Sequence, residues 1–523
     1  MPLSRRQFLL GAAGVAALAA CSDDNDDSGS ADGASGETST TEAATTTTPP
    51  APALSGPPFT LGVASGDPDA SSVVLWTRLA PEPTAGGGMP AEEVPVEWEV
   101  AADDAFEDVV GSGVATAEPG FGHSVHVVVD GLEAGTEYHY RFRVGEHTSP
   151  TGRARTAPDG EAESVRFAFG SCQNWQAGFW SAHEHLAEEE LDLVIWLGDY
   201  IYEGGVATDG LRPHDGPEPT TIDGYRNRYG LYKGDPALQA AHAARPWLVV
   251  WDDHEVENNY ASDSPQDGGP PEPFLERRAA AYQAWWEHMP VRMDPPTGPA
   301  LDINRVVGWG DLLSVFALDT RQFRANQPCG GDSDLGPGCP EQEDPAREML
   351  GPEQESWLAE AMSGSTATWN VLANQVIFSP APITVGTTTV FNLDQWDGYP
   401  RARERVLDIL AETPNTVIVT GDIHASAVGE VRRGEEIVAV ELVGTSISST
   451  FPEEFISLFE GAAQTGGAKM ADARHRGYVR CTATPESLTA EYRVVESTAV
   501  PSSPVSTAST WVIDAGTPGV RAG

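Results

Sequence analysis

The sequence contains almost no lysine. Lys233 and Lys469 are the only two lysines among 31 basic residues, while Asp and Glu together number 78, so the formal net charge is -47. A charge of this size repels nucleic acid and anionic membrane surfaces at long range. Nucleic acid is therefore expected only as a substrate, and a phosphate group must be bound by positive charge that is concentrated locally.

Two common catalytic motifs are also missing. The 523 residues contain no Gly-x-Ser-x-Gly elbow and no Walker loop, which argues against a hydrolase with a serine nucleophile and against a P-loop enzyme. Of the five cysteines, Cys329 and Cys339 flank a loop rich in Gly, Asp and Pro and predict a short-loop disulfide. Cys481 lies in an apolar stretch and predicts an inert buried thiol. Cys172 is left without a partner.

The N-terminus has the layout of an export signal. Arg5 and Arg6 precede an apolar run of small residues that reaches Ala20 and is too short for an ordinary membrane span. The paired arginines resemble a signal for the twin-arginine translocase. A small-residue run that closes on Cys21 resembles a bacterial lipoprotein cleavage site, which predicts a membrane tether through lipidated Cys21; an ordinary signal with an incidental cysteine is the alternative. Either form predicts an extracytoplasmic protein, at the cell surface or in the periplasm, where disulfides form.

Composition divides the remaining chain into segments. Residues 22–58 carry no Lys or Arg and too little apolar surface to fold, which predicts a disordered tether after the signal at 1–21. Residues 59–157 show short runs of period two, typical of an antiparallel β-sandwich, and the pattern around Tyr138 resembles the tyrosine-corner strand of fibronectin type III domains. Residues 164–495 alternate buried apolar runs with helical segments and predict an α/β or mixed β-sandwich catalytic domain. Residues 496–523 are expected to form a C-terminal tail.

Polar side chains follow the buried strands of the predicted catalytic domain. Open α/β sheets bind their ligands at the carboxyl ends of strands, so these residues are expected to share one crevice. A single Asp after a strand is more often a turn former or a helix cap, but six such strand ends in one domain favour a site. The six polar ends are Cys172, Asp199, Asp252-Asp253-His254, Asp319, Asn374 and Asp422-Ile423-His424. This mixture of thiol, carboxylate, amide and imidazole donors suits hard cations better than a nucleophilic triad.

Several of these blocks resemble one known family. Gly198-Asp199-Tyr200-Ile201-Tyr202-Glu203, Trp251-Asp252-Asp253-His254-Glu255 and Gly421-Asp422-Ile423-His424 are similar to the metal-binding blocks of PhoD-type alkaline phosphatases and phosphodiesterases, which are relatives of purple acid phosphatases. The resemblance runs in order from about Phe59 to Val495. It implies a metallophosphoesterase-type β-sandwich of α/β (α+β) class, flanked by helices and preceded by the fibronectin-like domain.

The resemblance also implies two unequal metal sites. Cys172, Asp199, Tyr202 and His424 would hold Fe³⁺, with Asp199 as a bridge to the second ion. Asp253, Asn374 and Asp422 would complete a second site for Ca²⁺, with Mn or Mg as alternatives. Whether Asp252 or Asp253 is the ligand stays open, with Asp253 favoured because it precedes His254.

The implied reaction is phosphate-ester hydrolysis with a water activated by the two metals. Asp199 and His254 are the catalytic candidates. His254 is predicted to contact the phosphate and to protonate the leaving oxygen, or alternatively to orient a metal ligand. Arg321 and Asn258 are weaker candidates for substrate contact, and for Arg321 an ion pair with a carboxylate is the favoured alternative.

Substrate class separates the remaining hypotheses. Small phosphate monoesters or diesters are the leading expectation, and phosphodiester polymers of the cell wall or a phospholipase D-like activity are alternatives that the same metals support. A surface adhesin or solute-binding lipoprotein is the non-enzymatic alternative. The row of strand-end ligands argues against it, because an adhesin has no use for them.

Overall fold

The computed structural model describes residues 54–330, 335–385 and 387–523. The predicted signal at 1–21 and most of the predicted tether lie outside the described residues. The described end of that tether, residues 54–58, adjoins the first β-sandwich, where Leu54 packs on the core. No helix of the described residues is both long and apolar enough to cross a bilayer.

The architecture is α+β, with two large mixed sheets. The described strands form four sheets. The ten-stranded sheet contains β1 (Val63–Gly66), β2 (Ser72–Arg78), β5 (Ser124–Asp130), β9 (Val165–Gly170), β10 (Leu193–Leu197), β11 (Pro246–Val250), β22 (Arg476–Ala483), β23 (Ser487–Val495), β24 (Val505–Asp514) and β25 (Arg521–Ala522). The seven-stranded sheet contains β12 (Arg305–Trp309), β13 (Leu313–Ala317), β15 (Trp369–Ala373), β18 (Thr416–Thr420), β19 (Ser426–Arg433), β20 (Glu436–Val443) and β21 (Met470–Asp472).

Two smaller sheets and the helices complete the described part. The five-stranded sheet contains β3 (Val94–Ala101), β4 (Val109–Ala117), β6 (Glu137–Val144), β7 (His147–Thr148) and β8 (Gly152–Arg155); the three-stranded sheet contains β14 (Leu335–Gly336), β16 (Ile383–Val385) and β17 (Thr388–Asn392). The α-helices are α1 (Ser181–Glu188), α2 (Ile222–Lys233), α3 (Pro236–Ala244), α4 (Pro271–His288), α5 (Gly351–Ser363), α6 (Pro400–Ala411) and α7 (Glu453–Thr465). Short 3-10 turns lie at Pro119–Phe121, Pro340–Glu343 and Trp396–Gly398.

The buried strands follow from their sequences. β10, β11, β15 and β18 are apolar at nearly every position and buried on both faces, as parallel strands covered on two sides must be. β9, β10 and β11 pair in parallel, and β13, β15 and β18 form a second parallel set. One large core lies on these strands, and a second one packs α5 and α6 on the seven-stranded sheet. Two sets of carboxyl strand ends are thereby positioned for a site.

The N-terminal β-sandwich is continuous with the catalytic sheet. Its strands pair antiparallel, as the period-two runs predict, and the backbone N–H of Glu133 donates to Tyr138 Oη at 2.8 Å. However, β1 pairs in parallel with β11, so the boundary expected near residue 157 is crossed by one sheet. The N-terminal and catalytic segments therefore share one sheet.

The C-terminal segment differs from the expected tail. Within residues 496–523, β24 forms a nine-position antiparallel ladder with β23 and extends the ten-stranded sheet. Residues 506–508 of β24 are exposed in succession, and most of its other residues are half-buried. The catalytic unit therefore extends beyond residue 495.

The predicted disulfide between Cys329 and Cys339 is confirmed, with a sequence separation of 10. Cys481 is a free, buried thiol, also as predicted. Replacing both Cys329 and Cys339 with Ser is expected to lower the free energy of unfolding by about 2–3 kcal/mol, because the bridge restricts the unfolded chain. Urea unfolding with and without reductant measures this. Reductant should bring the wild type down to the variant, and equal stability under oxidising conditions would contradict the prediction.

Candidate metal centre

The polar strand ends of both large sheets converge on one site. β9, β10 and β11 of the ten-stranded sheet lead to Cys172, Asp199 and Asp253, and β18 of the seven-stranded sheet leads to Asp422 and His424. A single parallel bridge between Ser171 and Ser446 joins the two sheets beside the site. The predicted crevice therefore exists, and strand ends of both large sheets build it.

Four of the predicted ligands have strained backbones. Cys172, Asp199, Asp422 and His424 have φ angles of 59°, 56°, 63° and 57°. A non-glycine residue in this left-handed region costs on the order of 1–3 kcal/mol and persists only where its surroundings enforce it. The strain turns each side chain sharply out of its strand, and its concentration at these positions indicates a functional site.

Two glycines allow the loops to approach closely. A Cβ atom on Gly198, which has φ 103°, would lie 2.5 Å from the backbone N and Cβ of Asp252. A Cβ on Gly421 would lie 2.5 Å from Ser171 Oγ. The Gly-Asp pairs at 198–199 and 421–422 thus place a carboxylate next to a neighbouring strand end that any larger residue would push away.

The first predicted ligand set is brought together. Donor atoms of Cys172, Asp199 and His424 lie within 4.8 Å of one another. Tyr202 Oη lies 2.8 Å from Asp199 Oδ2 and 3.1 Å from His424 Nε2. Thiol, carboxylate, phenol and imidazole therefore face a common point.

The second set shares Asp199 with the first. Oxygens of Asp199, Asp252 and Asp253 also lie within 4.8 Å of one another. Asp199 Oδ1, Asp252 Oδ2 and Asp253 Oδ1 are buried and have no hydrogen-bond partner among the described residues. Buried carboxylate oxygens without partners are rare and call for a cation. Asp252 and Asp253 each keep one such oxygen, so both remain candidates for the metal ligand.

Asp422 and Asn374, the remaining predicted ligands, form hydrogen bonds to residues outside the two donor groups. Asp422 Oδ2 accepts from Gln395 Nε2 at 2.6 Å, and its Oδ1 lies 3.4 Å from Arg321 Nη2. Asn374 Oδ1 accepts from Trp396 Nε1 at 3.1 Å, and its amide nitrogen donates to the backbone of Val376 and, at 3.3 Å, to Thr420 Oγ1. Among the described residues, Asn374 therefore makes no hydrogen bond to another predicted ligand.

Arg321 is a structural cation in this site. Its side chain is fully buried, its Nε donates to Asp252 and its Nη1 lies 2.8 Å from Asp394. Nη2 lies 3.5 Å from Asp253 as well as close to Asp422. With its donors directed at carboxylates and none of its surface exposed, Arg321 follows the ion-pair alternative and not the role of a substrate contact.

Charge at the site is unbalanced toward the negative. Burial raises the pKa of the Cys172 thiol well above its ordinary value, and the Asp199 carboxylate raises it further. Burial and Asp199 likewise raise the pKa of Tyr202. Burial raises the pKa of Asp422 to about 7 in spite of Arg321. These groups lose their protons readily only beside added positive charge.

A metal cluster fits this donor set. Multivalent cations lower the pKa of the acidic groups around them and deprotonate coordinating thiols. The mixed donors around Cys172 suit a transition metal, while the all-oxygen group of Asp199, Asp252 and Asp253 suits a hard cation. The unpartnered oxygens and the two donor groups that share Asp199 could thus hold bound metal ions.

His254 lies beside the cluster and pairs with Glu203. Burial alone would lower its pKa, but Glu203, Asp199 and Asp253 outweigh burial and raise the pKa well above the ordinary value. His254 Nδ1 lies 2.6 Å from Glu203 Oε2, and the ring packs on Tyr202 at 4.0 Å between centroids. The other oxygen of Glu203 accepts the backbone N–H of Asn258 at 2.7 Å. Asn258 therefore has an observed role through its backbone, in holding Glu203.

Sequence reasoning missed four residues that support the site. Glu255 accepts backbone N–H groups of Asp199, Tyr200 and Asp252, and so joins the loops after β10 and β11. Ser449 Oγ lies 2.7 Å from Tyr202 Oη, Asp394 pairs with both Arg321 and Arg324, and Glu203 holds His254. Ser449 follows the apolar strand β20, so the strand-end rule could have found it. Asp394 follows the exposed strand β17 and gives no such signal.

The chain is similar to known phosphatases over most of its length. Residues 167–492 match the family described as PhoD-like phosphatase, and residues 43–158 match its N-terminal domain. The chain is 44% identical over 500 residues to alkaline phosphatase D of Bacillus subtilis (strain 168), covering 90% of this chain and 83% of that protein. It matches a solved structure described as the structure of PhoD with a TM-score of 0.86 and 43% identity, covering 90% of this chain and 93% of that one.

Proposed function

We propose, from the premise that this chain belongs to the PhoD-like phosphatase family, that its phosphate-ester hydrolysis takes place at two metal ions held around Asp199. The observation that carries this proposal is that Asp199 belongs to both donor groups and keeps a buried oxygen without a partner. The enzyme is a phosphoesterase of the alkaline phosphatase type.

Cys172, Asp199, Tyr202 and His424 are the proposed ligands of Fe³⁺. Asp253, Asp422 and Asn374 are the proposed ligands of Ca²⁺, and Mn or Mg would suit the same oxygens. Asp253 is preferred to Asp252 because it directly precedes His254. Each aspartate has one oxygen already engaged, Asp252 by Arg321 Nε and Asp253 by the backbone N–H of Asn259 at 2.6 Å. Arg321 would leave Asp253 and Asp422 partly neutralised, which favours an ion of lower charge in the second site.

The metal ions and the side chains around them have separate roles in the proposed reaction. When bound, the two cations polarise the phosphoryl group and make a water molecule more acidic. His254 Nδ1 is tied to Glu203, and Nε2 has no hydrogen-bond partner among the described residues. Nε2 is therefore the atom proposed to donate a proton to the leaving oxygen. Ser449 fixes the phenol of Tyr202, and Glu255 keeps the loops that carry Asp199 and Asp253 together.

Two buried free thiols offer a matched test of the metal ligands. Cys172→Ala is expected to lose most of its iron and its turnover, whereas Cys481→Ala, which lies in β22, should keep both. Elemental analysis of the purified variants measures metal content independently of activity. Wild-type iron content in Cys172→Ala would remove Cys172 from the cluster.

Substrate class is proposed at the level of small phosphate monoesters or diesters. Rates on a monoester, a diester, a phospholipid and a wall-type phosphodiester polymer separate these from the phospholipase D-like and wall-polymer alternatives. A diester rate that exceeds the monoester rate by tenfold or more would assign the enzyme to phosphodiesters. The metal proposal does not depend on that outcome.

Export through the twin-arginine translocase and a membrane tether at Cys21 are proposed from the sequence alone. Arg5-Arg6 and the small-residue run ending on Cys21 support them. Cells fed radiolabelled fatty acid should label the wild-type protein and not Cys21→Ala. Equal labelling of the two proteins would rule out lipidation at Cys21, and accumulation of Arg5→Lys/Arg6→Lys precursor in the cytoplasm would support the translocase.

A further inference from the structure

An apolar cavity of about 320 Å³ lies outside the metal centre. It lies between α6, α7, strands β19 and β20 and the segment that leads into β16, is partly open to solvent, and is called here the α6–α7 cavity. Its apolar lining includes Phe378, Leu407, Val428, Val431, Phe459 and Ala463. Its volume falls within the range of small-molecule sites, which are mostly apolar with a few polar groups.

The helix over this cavity is loosely packed. No residue of α7 is buried, although the helix carries Phe455, Leu458 and Phe459. Phe459 and Ala463 face the cavity while Phe455 and Leu458 are exposed. Apolar side chains that line a space without filling it gain contacts when an apolar ligand enters.

One end of the cavity carries polar groups with unused bonding capacity. Ser379 Oγ is buried and has no hydrogen-bond partner among the described residues. Arg403 Nη1 donates to Asp397 Oδ1 at 3.1 Å, and its Nη2 and Nε have no partner in the described part of the chain. Asp397 Oδ2 accepts the backbone N–H of Ala381 at 3.0 Å, which holds Arg403 beside the segment of Ser379.

The charges around this end decide what kind of head group it accepts. Asp397 already balances Arg403, and Glu441 accepts the backbone N–H of Ser379 at 2.8 Å. Glu430 also lines the cavity, in ion pairs with Arg432 and Lys469. A carboxylate or phosphate head would be buried near Glu441 without a cation of its own, which is costly. An uncharged hydroxyl can accept from Arg403 and share a hydrogen bond with Ser379.

We propose that the α6–α7 cavity binds an uncharged aliphatic alcohol of medium chain length. The hydroxyl lies between Arg403 and Ser379, and the chain extends between Val428, Val431 and Phe459. An aliphatic chain of about eight carbons with a terminal hydroxyl suits a small-molecule cavity of this volume. No step of catalysis is required for this binding, so its test is independent of the proposed function.

Calorimetric titration with 1-octanol, below its solubility limit, tests the head-group contact. The wild type should bind, and Arg403→Gln should bind about tenfold more weakly or worse, because a charged donor is lost. Arg401→Gln is the matched control, since Arg401 lies on the same helix but pairs with Glu343 and Glu404 at the surface. Octanoate should bind at least about tenfold more weakly than 1-octanol. Equal binding of octanoate, or equal binding by Arg403→Gln, would overturn the head-group assignment.

Filling the cavity with a larger side chain tests where the alkyl chain of the alcohol binds. Ala463→Leu should abolish 1-octanol binding, whereas Ser457→Leu, at an exposed position of the same helix, should leave it unchanged. Circular dichroism of each variant establishes that it is folded, and Ser379→Ala provides a second small change within the site. Full affinity in folded Ala463→Leu, or no binding by the wild type, would overturn the proposal.

Discussion

Asp199→Asn should lower kcat/KM by at least about 10³-fold and deplete both metals. Asp199 lies in both donor groups, and its unpartnered Oδ1 is the oxygen available for a second ion. Metal ions supply several kcal/mol of transition-state stabilisation, and about 1.4 kcal/mol corresponds to a factor of ten in rate. An amide keeps the shape of the side chain but cannot bridge two cations as a carboxylate does.

Metal content, kcat and KM together measure this effect. Asp67→Asn is the matched control, because Asp67 is also a buried aspartate but pairs with Arg305 outside the cluster. That variant is expected to lose stability and to keep its metals. An Asp199→Asn enzyme with two metals per chain and wild-type turnover would remove Asp199 as the bridge.

The decrease in hydrolysis rate when either member of the Glu203–His254 pair is replaced should depend on the leaving group. His254→Asn is expected to slow hydrolysis of alkyl or phenyl esters by about 10²–10⁴-fold, because a positioned acid contributes that much when the leaving oxygen needs a proton. Nitrophenyl esters leave as stable anions and should lose no more than about tenfold. Glu203→Gln should show the same pattern with a smaller loss, since Glu203 orients His254 through Nδ1.

The slope of log kcat/KM against the pKa of the leaving alcohol is the measurement. Glu257→Gln is the matched control. Glu257 lies on the same segment as His254, but it pairs with Arg277 of α4 and does not contact His254. A purely structural role of Glu203 would slow all esters equally. An unchanged slope in both His254→Asn and Glu203→Gln would therefore assign the proton donor to another group.

Much of this site could be predicted because its signals are local. An apolar run that ends on Asp or Cys encodes both a buried strand and a donor at its carboxyl end, and the buried strands at Leu193–Leu197 and Trp369–Ala373 lead to Asp199 and Asn374 as predicted. The disulfide was likewise predictable from two cysteines around one loop. Each of these features depends on fewer than about fifteen neighbouring residues.

The roles of single charged residues could not be predicted in the same way. Arg321 follows a buried strand as the ligands do, yet it contacts Asp252 and Asp394, which lie 69 and 73 residues away along the chain. A guanidinium bonded to carboxylates and one directed at substrate share the same sequence context. Only the approach of distant segments distinguishes them.

The sequence by itself determined which donors this protein offers and that they follow buried strands, because strand burial is written in local apolar patterns. The tertiary structure decided which strand ends of the two large sheets meet at the site, and that β24 and β1 extend the catalytic sheet. It also decided the left-handed backbone at Cys172, Asp199, Asp422 and His424. The physical reason is that pairing partners, backbone strain and charge balance depend on contacts between segments far apart in the chain, which no local pattern specifies.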